Sequence, residues 1–117
     1  MKIMVVDDNE DLRTLLRIQL SALGASTVIC PDGREAVEIY SRESPDAVLM
    51  DIAMPDMNGL DATQRICSLD ERACVYIVSA YSDEMLRRAA RVAGATGYYL
   101  KDNLEPLFSR LRRGIAH

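Results

Sequence analysis

The sequence has little of what several common chemistries need. It has one histidine, His117, the last residue given, and no tryptophan. With no second histidine, a Ser-His-Asp or Cys-His mechanism lacks a credible base, and a phosphohistidine carrier is not expected. Cysteines stand at 30, 67 and 74, an odd number with no C-x-x-C pair, which excludes the common zinc patterns. Reduced, mostly buried thiols in cytoplasm are expected. No apolar run approaches the ~18 to 20 residues of a membrane span. The first apolar stretch, K-I-M-V-V, is closed by Asp7 and Asp8, so no signal peptide is read there. A basic excess is also missing: the formal net charge is -4, which argues against direct nucleic-acid binding by this domain. No linker, repeat or low-complexity segment divides the 117 residues, so one domain over 1–117 is expected.

Hydrophobic residues at 49% and charged residues at 27% are ordinary for a globular core with a polar surface. Their arrangement alternates between two periods. Short apolar runs at 2–6, 26–30, 47–50, 74–79 and 97–100 read as strands. Between them lie stretches of helical spacing, the clearest being Leu12, Leu15, Leu16, Leu20 and Leu23. Asn9 or Asp8, Asp83 and Asn103 read as helix caps, and Gly24 and Gly94 as helix stops. Pro31-Asp32-Gly33 and Ser44-Pro45 bound a second helix, and another runs from about Leu60 to Leu69. The last helix carries Leu104, Leu107, Phe108, Leu111 and Ile115 on one face, with Pro106 in its first turn. Five repeats of strand then helix predict an α/β fold, a doubly wound, flavodoxin-like (βα)5 unit with a five-stranded parallel sheet.

Polar residues fall just past the strand ends: Asp7 and Asp8 after the first, Asp51 after the third, Ser79 closing the fourth and Lys101 after the fifth. In an open parallel sheet those ends face one crevice. Three close carboxylates raise one another's pKa unless a cation neutralises them, and an all-oxygen set suits Mg2+ or Mn2+. Magnesium typically completes its shell with phosphate oxygen, which Lys101 and Ser79 could also meet. A carboxylate can itself be the nucleophile, and Asp51, alone on the central strand, is the better candidate.

These residues, V-V-D-D at 5 to 8, V-L-M-D at 48 to 51, M-P-D-M-N-G at 54 to 59, V-S-A at 78 to 80 and G-A-T-G-Y-Y-L-K at 94 to 101, together resemble a response-regulator receiver domain of two-component signalling. The likeness runs nearly end to end. It implies a phosphoacceptor rather than an enzyme acting on other molecules, phosphorylated on Asp51 by a sensor histidine kinase or a small phosphodonor. It implies Mg2+ held by Asp8, Asp51 and the Ala53 carbonyl, with Asp7 acting through water, and phosphoryl oxygens bound by Ser79 and Lys101. Tyr98 matches an aromatic that changes rotamer with Ser79 on activation. An output domain or downstream protein is implied as partner, with homodimerisation on phosphorylation left open.

Two positions depart from the family pattern. Asp102 follows Lys101 where proline is usual, so a cis bond there would cost roughly 2.5 to 4 kcal/mol. L-K-D is similar to the branch whose output is a LuxR-type helix-turn-helix. Tyr81, two past Ser79, is bulky; with Ala53, two past Asp51, it flanks the path of a hydrolytic water, or else it points to solvent. In the loop after Asp51, Pro55 is expected to stiffen the chain and Gly59 to permit a tight turn.

Other classes fit less well. A flavodoxin-like FMN carrier wants a glycine-rich, hydroxyl-bearing loop after the first strand, where this chain has D-D-N-E-D. A dehalogenase-type phosphatase wants a second acid where Ala53 stands. A phosphorylation-independent interaction module need not keep all five pocket residues. Acids at helix starts often serve only as caps, which covers Asp8 but not Asp51 in an apolar run. Arg87, Arg88 and Arg91, and Arg110, Arg112 and Arg113, read as solvated helix faces, and Tyr99 alternates to the opposite face from Tyr98.

Overall fold

The computed structural model describes residues 1–54 and 56–114. The expectations placed on Pro55, Ile115 and His117 lie outside the described residues. Five strands, β1 (Lys2–Val6), β2 (Ser26–Cys30), β3 (Ala47–Met50), β4 (Val75–Ser79) and β5 (Gly97–Leu100), pair in parallel in the order β2-β1-β3-β4-β5. Five helices alternate with them: α1 (Glu10–Ala22), α2 (Gly33–Glu43), α3 (Gly59–Leu69), α4 (Glu84–Ala93) and α5 (Glu105–Arg112).

Both faces of the sheet are covered, so β3 and β4 are buried at every position. Side chains alternate between the faces along each strand. Met4, Val6, Val48, Met50, Val75 and Ile77 pack under Ala36 and Tyr40 of α2, Ala62 and Ile66 of α3 and Ala90 of α4. Ile3, Val5, Ala47, Leu49, Tyr76 and Val78 pack under Leu16 and Leu20 of α1 and Leu107, Phe108 and Leu111 of α5. At ~1.5–3 kcal/mol for each fully buried large aliphatic side chain, these two layers supply the main drive to fold.

Local signals set the helix ends. The Asn9, Asp32, Asn58 and Asp83 side chains cap α1 to α4, each accepting backbone N–H bonds from the first turn. Of the two candidates for α1, it is Asn9 that caps, accepting from Leu12 N–H at 3.0 Å. Gly24 (φ 84°) and Gly94 (φ 107°) adopt the left-handed conformation that ends α1 and α4. Asn103 does not cap α5. Its N–H donates to the Leu100 carbonyl at 3.0 Å, and α5 begins after Leu104 with no side-chain cap. Pro106 does lie in the first turn of that helix.

Candidate functional site

Chain order reverses between β1 and β3. From β1 the chain moves outward to β2, then returns to the other side of β1 as β3 and continues to β5. A crevice opens at such a switch point, outside the carboxyl ends of the strands. Asp7 and Asp8 leave β1 at one side of it, and Asp51 leaves β3 at the other. Asp7 N–H donates to the Cys30 carbonyl and Asp51 N–H to the Val6 carbonyl, so the sheet's own hydrogen bonds anchor both acids. Each of Asp7, Asp8 and Asp51 offers a carboxylate oxygen within 4.8 Å of the others. Asp7 and Asp51 are buried and Asp8 is exposed.

Lys101 enters from the end of β5. Its Nζ lies 3.0 Å from Asp7 Oδ2 and 3.2 Å from Asp51 Oδ1. One ammonium therefore serves two buried carboxylates. The Lys101–Asp102 bond is trans, as are all peptide bonds among the described residues.

The charges follow from this arrangement. Burial, then the neighbouring Asp7 charge, pushes the Asp51 carboxyl above its ordinary value; Lys101 and the Ile52 N–H pull the other way and do not cancel it. Burial opposes the Lys101 ammonium, but its bond to Asp7 and the charges of Asp51 and Asp7 outweigh that and hold its pKa above the usual value. The cluster carries more negative charge than one lysine neutralises. Three crowded hard-oxygen donors with one cationic partner fit a small divalent cation. Asp51 Oδ1 is held by Lys101 and by Ile52 N–H at 2.9 Å, while Oδ2 is bonded by nothing among the described residues.

Ser79 closes β4, between the strand that leads to Asp51 and the one that leads to Lys101. Its carbonyl accepts from Lys101 N–H at 2.9 Å. Its hydroxyl oxygen accepts from Tyr81 N–H at 3.1 Å, which leaves the hydroxyl hydrogen free to donate. Tyr98 on β5 is half-buried, and its hydroxyl donates to the Tyr81 carbonyl at 2.6 Å. The backbone of Tyr81 thus links the Ser79 and Tyr98 hydroxyls, while its side chain is 57% exposed. Of the two placements weighed for that ring, the structure has the solvent-facing one. Tyr99, on the opposite face, packs edge-on against Tyr76 with centroids 6.0 Å apart.

The loop from Asp51 to Gly59 differs from expectation in its reason for glycine. Gly59 has no positive φ; it starts α3, and a Cβ there would lie 1.7 Å from the Asp51 carbonyl oxygen. Space, not turn freedom, requires glycine. The left-handed residue of this loop is Asp56 (φ 68°). Ala53 is exposed within the loop.

Two contacts had no signal in the spacing. Arg13 Nη1 donates to the Asp7 carbonyl at 3.0 Å, and the Arg87 guanidinium lies 4.7 Å from the centre of the Tyr98 ring. Arg87 sits on a helix face that reads as solvated, and Arg13 lies on α1. A local signal for Arg13 exists only in hindsight: it lies one turn beyond the cap that follows the acids.

The sequence model described as response regulator receiver domain matches residues 3–112. Response regulator MprA of Mycolicibacterium vanbaalenii is 36% identical over 112 residues, covering 95% of this chain and 48% of that protein. Chemotaxis protein CheY of Thermotoga maritima is 36% identical over 101 residues, 86% of this chain and 84% of that protein. The chain spans about half the length of the MprA relatives it matches. Among solved structures, the BeF3-activated N-terminal receiver domain of RstA from Klebsiella pneumoniae superposes with a TM-score of 0.91 at 27% identity over 100% of both chains. A LuxR-family two-component response regulator from Aurantimonas sp. does so with 0.88 at 30% identity, covering 96% of this chain and 82% of that one.

Proposed function

The chain belongs to the response regulator receiver domain family, and from that premise we propose that its phosphoacceptor is Asp51, with Asp7, Asp8, Asp51 and the Ala53 carbonyl as the Mg2+ site and Ser79 and Lys101 as the phosphoryl-binding pair. The observation that carries this reading is the clustering of three carboxylates at the switch point with Lys101 between Asp7 and Asp51.

Asp51 Oδ2, the oxygen without a bond among the described residues, attacks phosphorus. A P–O bond forms, the donor's bond to phosphorus breaks, and the leaving group departs with its electron pair. Lys101 is then placed to meet the charge that Asp51 gains, and the Ser79 hydroxyl to donate to a phosphoryl oxygen. When bound, Mg2+ supplies charge neutralisation that lets an anionic phosphodonor approach an anionic cluster. Asp8, exposed at the rim, and buried Asp7 are the chain's own groups for holding it.

Engagement of Ser79 by the phosphoryl group would loosen its bond from Tyr81 N–H, and the same residue's carbonyl holds Tyr98. Phosphorylation then biases the position of Tyr98 and the α4–β5–α5 face. A sensor histidine kinase in the cytoplasm is the expected donor, and an output domain, of LuxR helix-turn-helix type in keeping with the L-K-D sequence, the expected receiver of the signal. Homodimerisation on phosphorylation belongs to the same reading.

Treatment with acetyl phosphate and Mg2+ should add one phosphoryl group by intact mass. Asp51→Asn should take up none. Labelling of that variant at the parental rate would move the phosphoacceptor elsewhere.

A further inference from the structure

We infer that Arg13 is a positioning residue for the metal-binding acids: its guanidinium fixes the peptide between Asp7 and Asp8 and so the direction in which Asp8 presents its carboxylate. The inference rests on the metal site described under Proposed function and adds a residue to its support.

Asp7 is held at every polar group. Its N–H donates to the Cys30 carbonyl, its Oδ1 accepts from Asn9 N–H at 2.8 Å, and its Oδ2 meets Lys101. Its carbonyl lies beyond the end of β1, where the sheet supplies no partner, and Arg13 Nη1 donates to it at 3.0 Å. Asp8 differs. Its side chain is exposed and makes no bond among the described residues, so only its backbone orients it. The Asp7 carbonyl and the Asp8 N–H belong to one planar peptide unit. Fixing that carbonyl from α1 removes the rotation that would swing Asp8 out of the cluster. Arg13 is well placed for the task, because Arg13 N–H also closes the first turn of α1 on the Asn9 carbonyl. Among the described residues its guanidinium forms no ion pair within 4 Å, although Asp8, Glu10 and Asp11 are close in sequence. Its polar contact is with the turn.

Two effects of Arg13 on Mg2+ oppose each other, and their sign separates them. A guanidinium near the site repels a divalent cation, so removing it on electrostatic grounds alone should tighten binding. Removing an orienting group should weaken binding; partners that position metal ligands typically count for about 10- to 100-fold in affinity. The experiment is a calorimetric Mg2+ titration at fixed ionic strength of the full chain, Arg13→Met, Arg13→Lys and Arg17→Met. Arg17 lies one turn on, is exposed, and has no bond among the described residues. Arg13→Met should weaken Mg2+ about tenfold, Arg13→Lys should recover part of that loss, and Arg17→Met should bind as the parent or slightly tighter. Folded Arg13→Met that binds Mg2+ as tightly as the parent, or tighter, overturns the inference. If Arg13→Met does not fold, Arg13→Lys decides, and a dissociation constant equal to the parent's overturns it. A parent chain that binds no Mg2+ overturns the site itself, a failure distinct from that of Arg13.

Discussion

Cys30 closes β2 with its side chain fully buried. Burial, then the charges of Glu35, Asp32 and Glu43, pushes its thiol up to about 12 from 9.0. The folded state therefore keeps a proton that the unfolded chain releases near pH 9. Between those two values the unfolded state binds fewer protons, so stability falls as pH rises, and below about 9 this group costs nothing. The thermal midpoint should be flat across neutral pH and decline above about pH 9, and Cys30→Ala should lessen that decline. Scans at a series of pH values would check it; a decline of equal slope in the variant would assign the alkaline loss to other groups. The same chemistry makes Cys30 inert as a nucleophile at neutral pH. A buried, reduced thiol was legible in the sequence, because a small apolar residue at the end of an apolar run has few alternatives. The Arg13 and Arg87 contacts were not legible. A long side chain's destination depends on rotamers and on neighbours brought close by the fold, and helical spacing shows only which face it leaves from.

The elements were legible almost to the residue where a cap and a period agree. Asp32, Asp83, Gly24 and Gly94 each act in the structure as their chemistry predicts. Asn103 is not the cap: its N–H closes the turn after β5 on the Leu100 carbonyl, and α5 starts one residue later, with Leu104 at the cap position and no side-chain bond. Gly59 shows the other limit. The glycine is visible in the sequence, but its reason is the approach of α3 to the Asp51 carbonyl, which no local pattern encodes. A Cβ there would meet Asp51 O at 1.7 Å and Asp51 C at 2.7 Å, and both are backbone atoms that cannot turn aside. Gly59→Ala should therefore destabilise the fold by about 3 kcal/mol or more. Urea unfolding would measure it. A variant as stable as the parent would show that the loop relaxes, and it should then also show altered phosphorylation of Asp51.

At the scale of the whole molecule, a well-packed sheet carries an unfavourable patch at one end. Two apolar layers cover both faces of the five strands, and this supports buried acids at the switch point that would not be held by their own interactions. No helix among the described residues is long and apolar enough to cross a membrane. On the proposed metal site, Mg2+ that binds the folded chain and not the unfolded one should raise stability by RT ln(1 + [Mg2+]/Kd). At a hundredfold excess over Kd this amounts to about 2.7 kcal/mol, and each kcal/mol should raise the midpoint of a domain this size by about 3–6 °C. Asp8 and Asp51 should respond differently to substitution. Asp51 is buried beside Asp7, so Asp51→Asn should raise the metal-free midpoint. Asp8 is exposed and its charge is screened, so Asp8→Ala should leave the metal-free midpoint nearly unchanged while abolishing the response to Mg2+. Thermal scans of the three chains, with and without millimolar Mg2+, separate repulsion from ligation. A parental midpoint indifferent to Mg2+ would remove the cation from the account. A full Mg2+ response in Asp8→Ala would leave ligation to Asp7 and Asp51 alone.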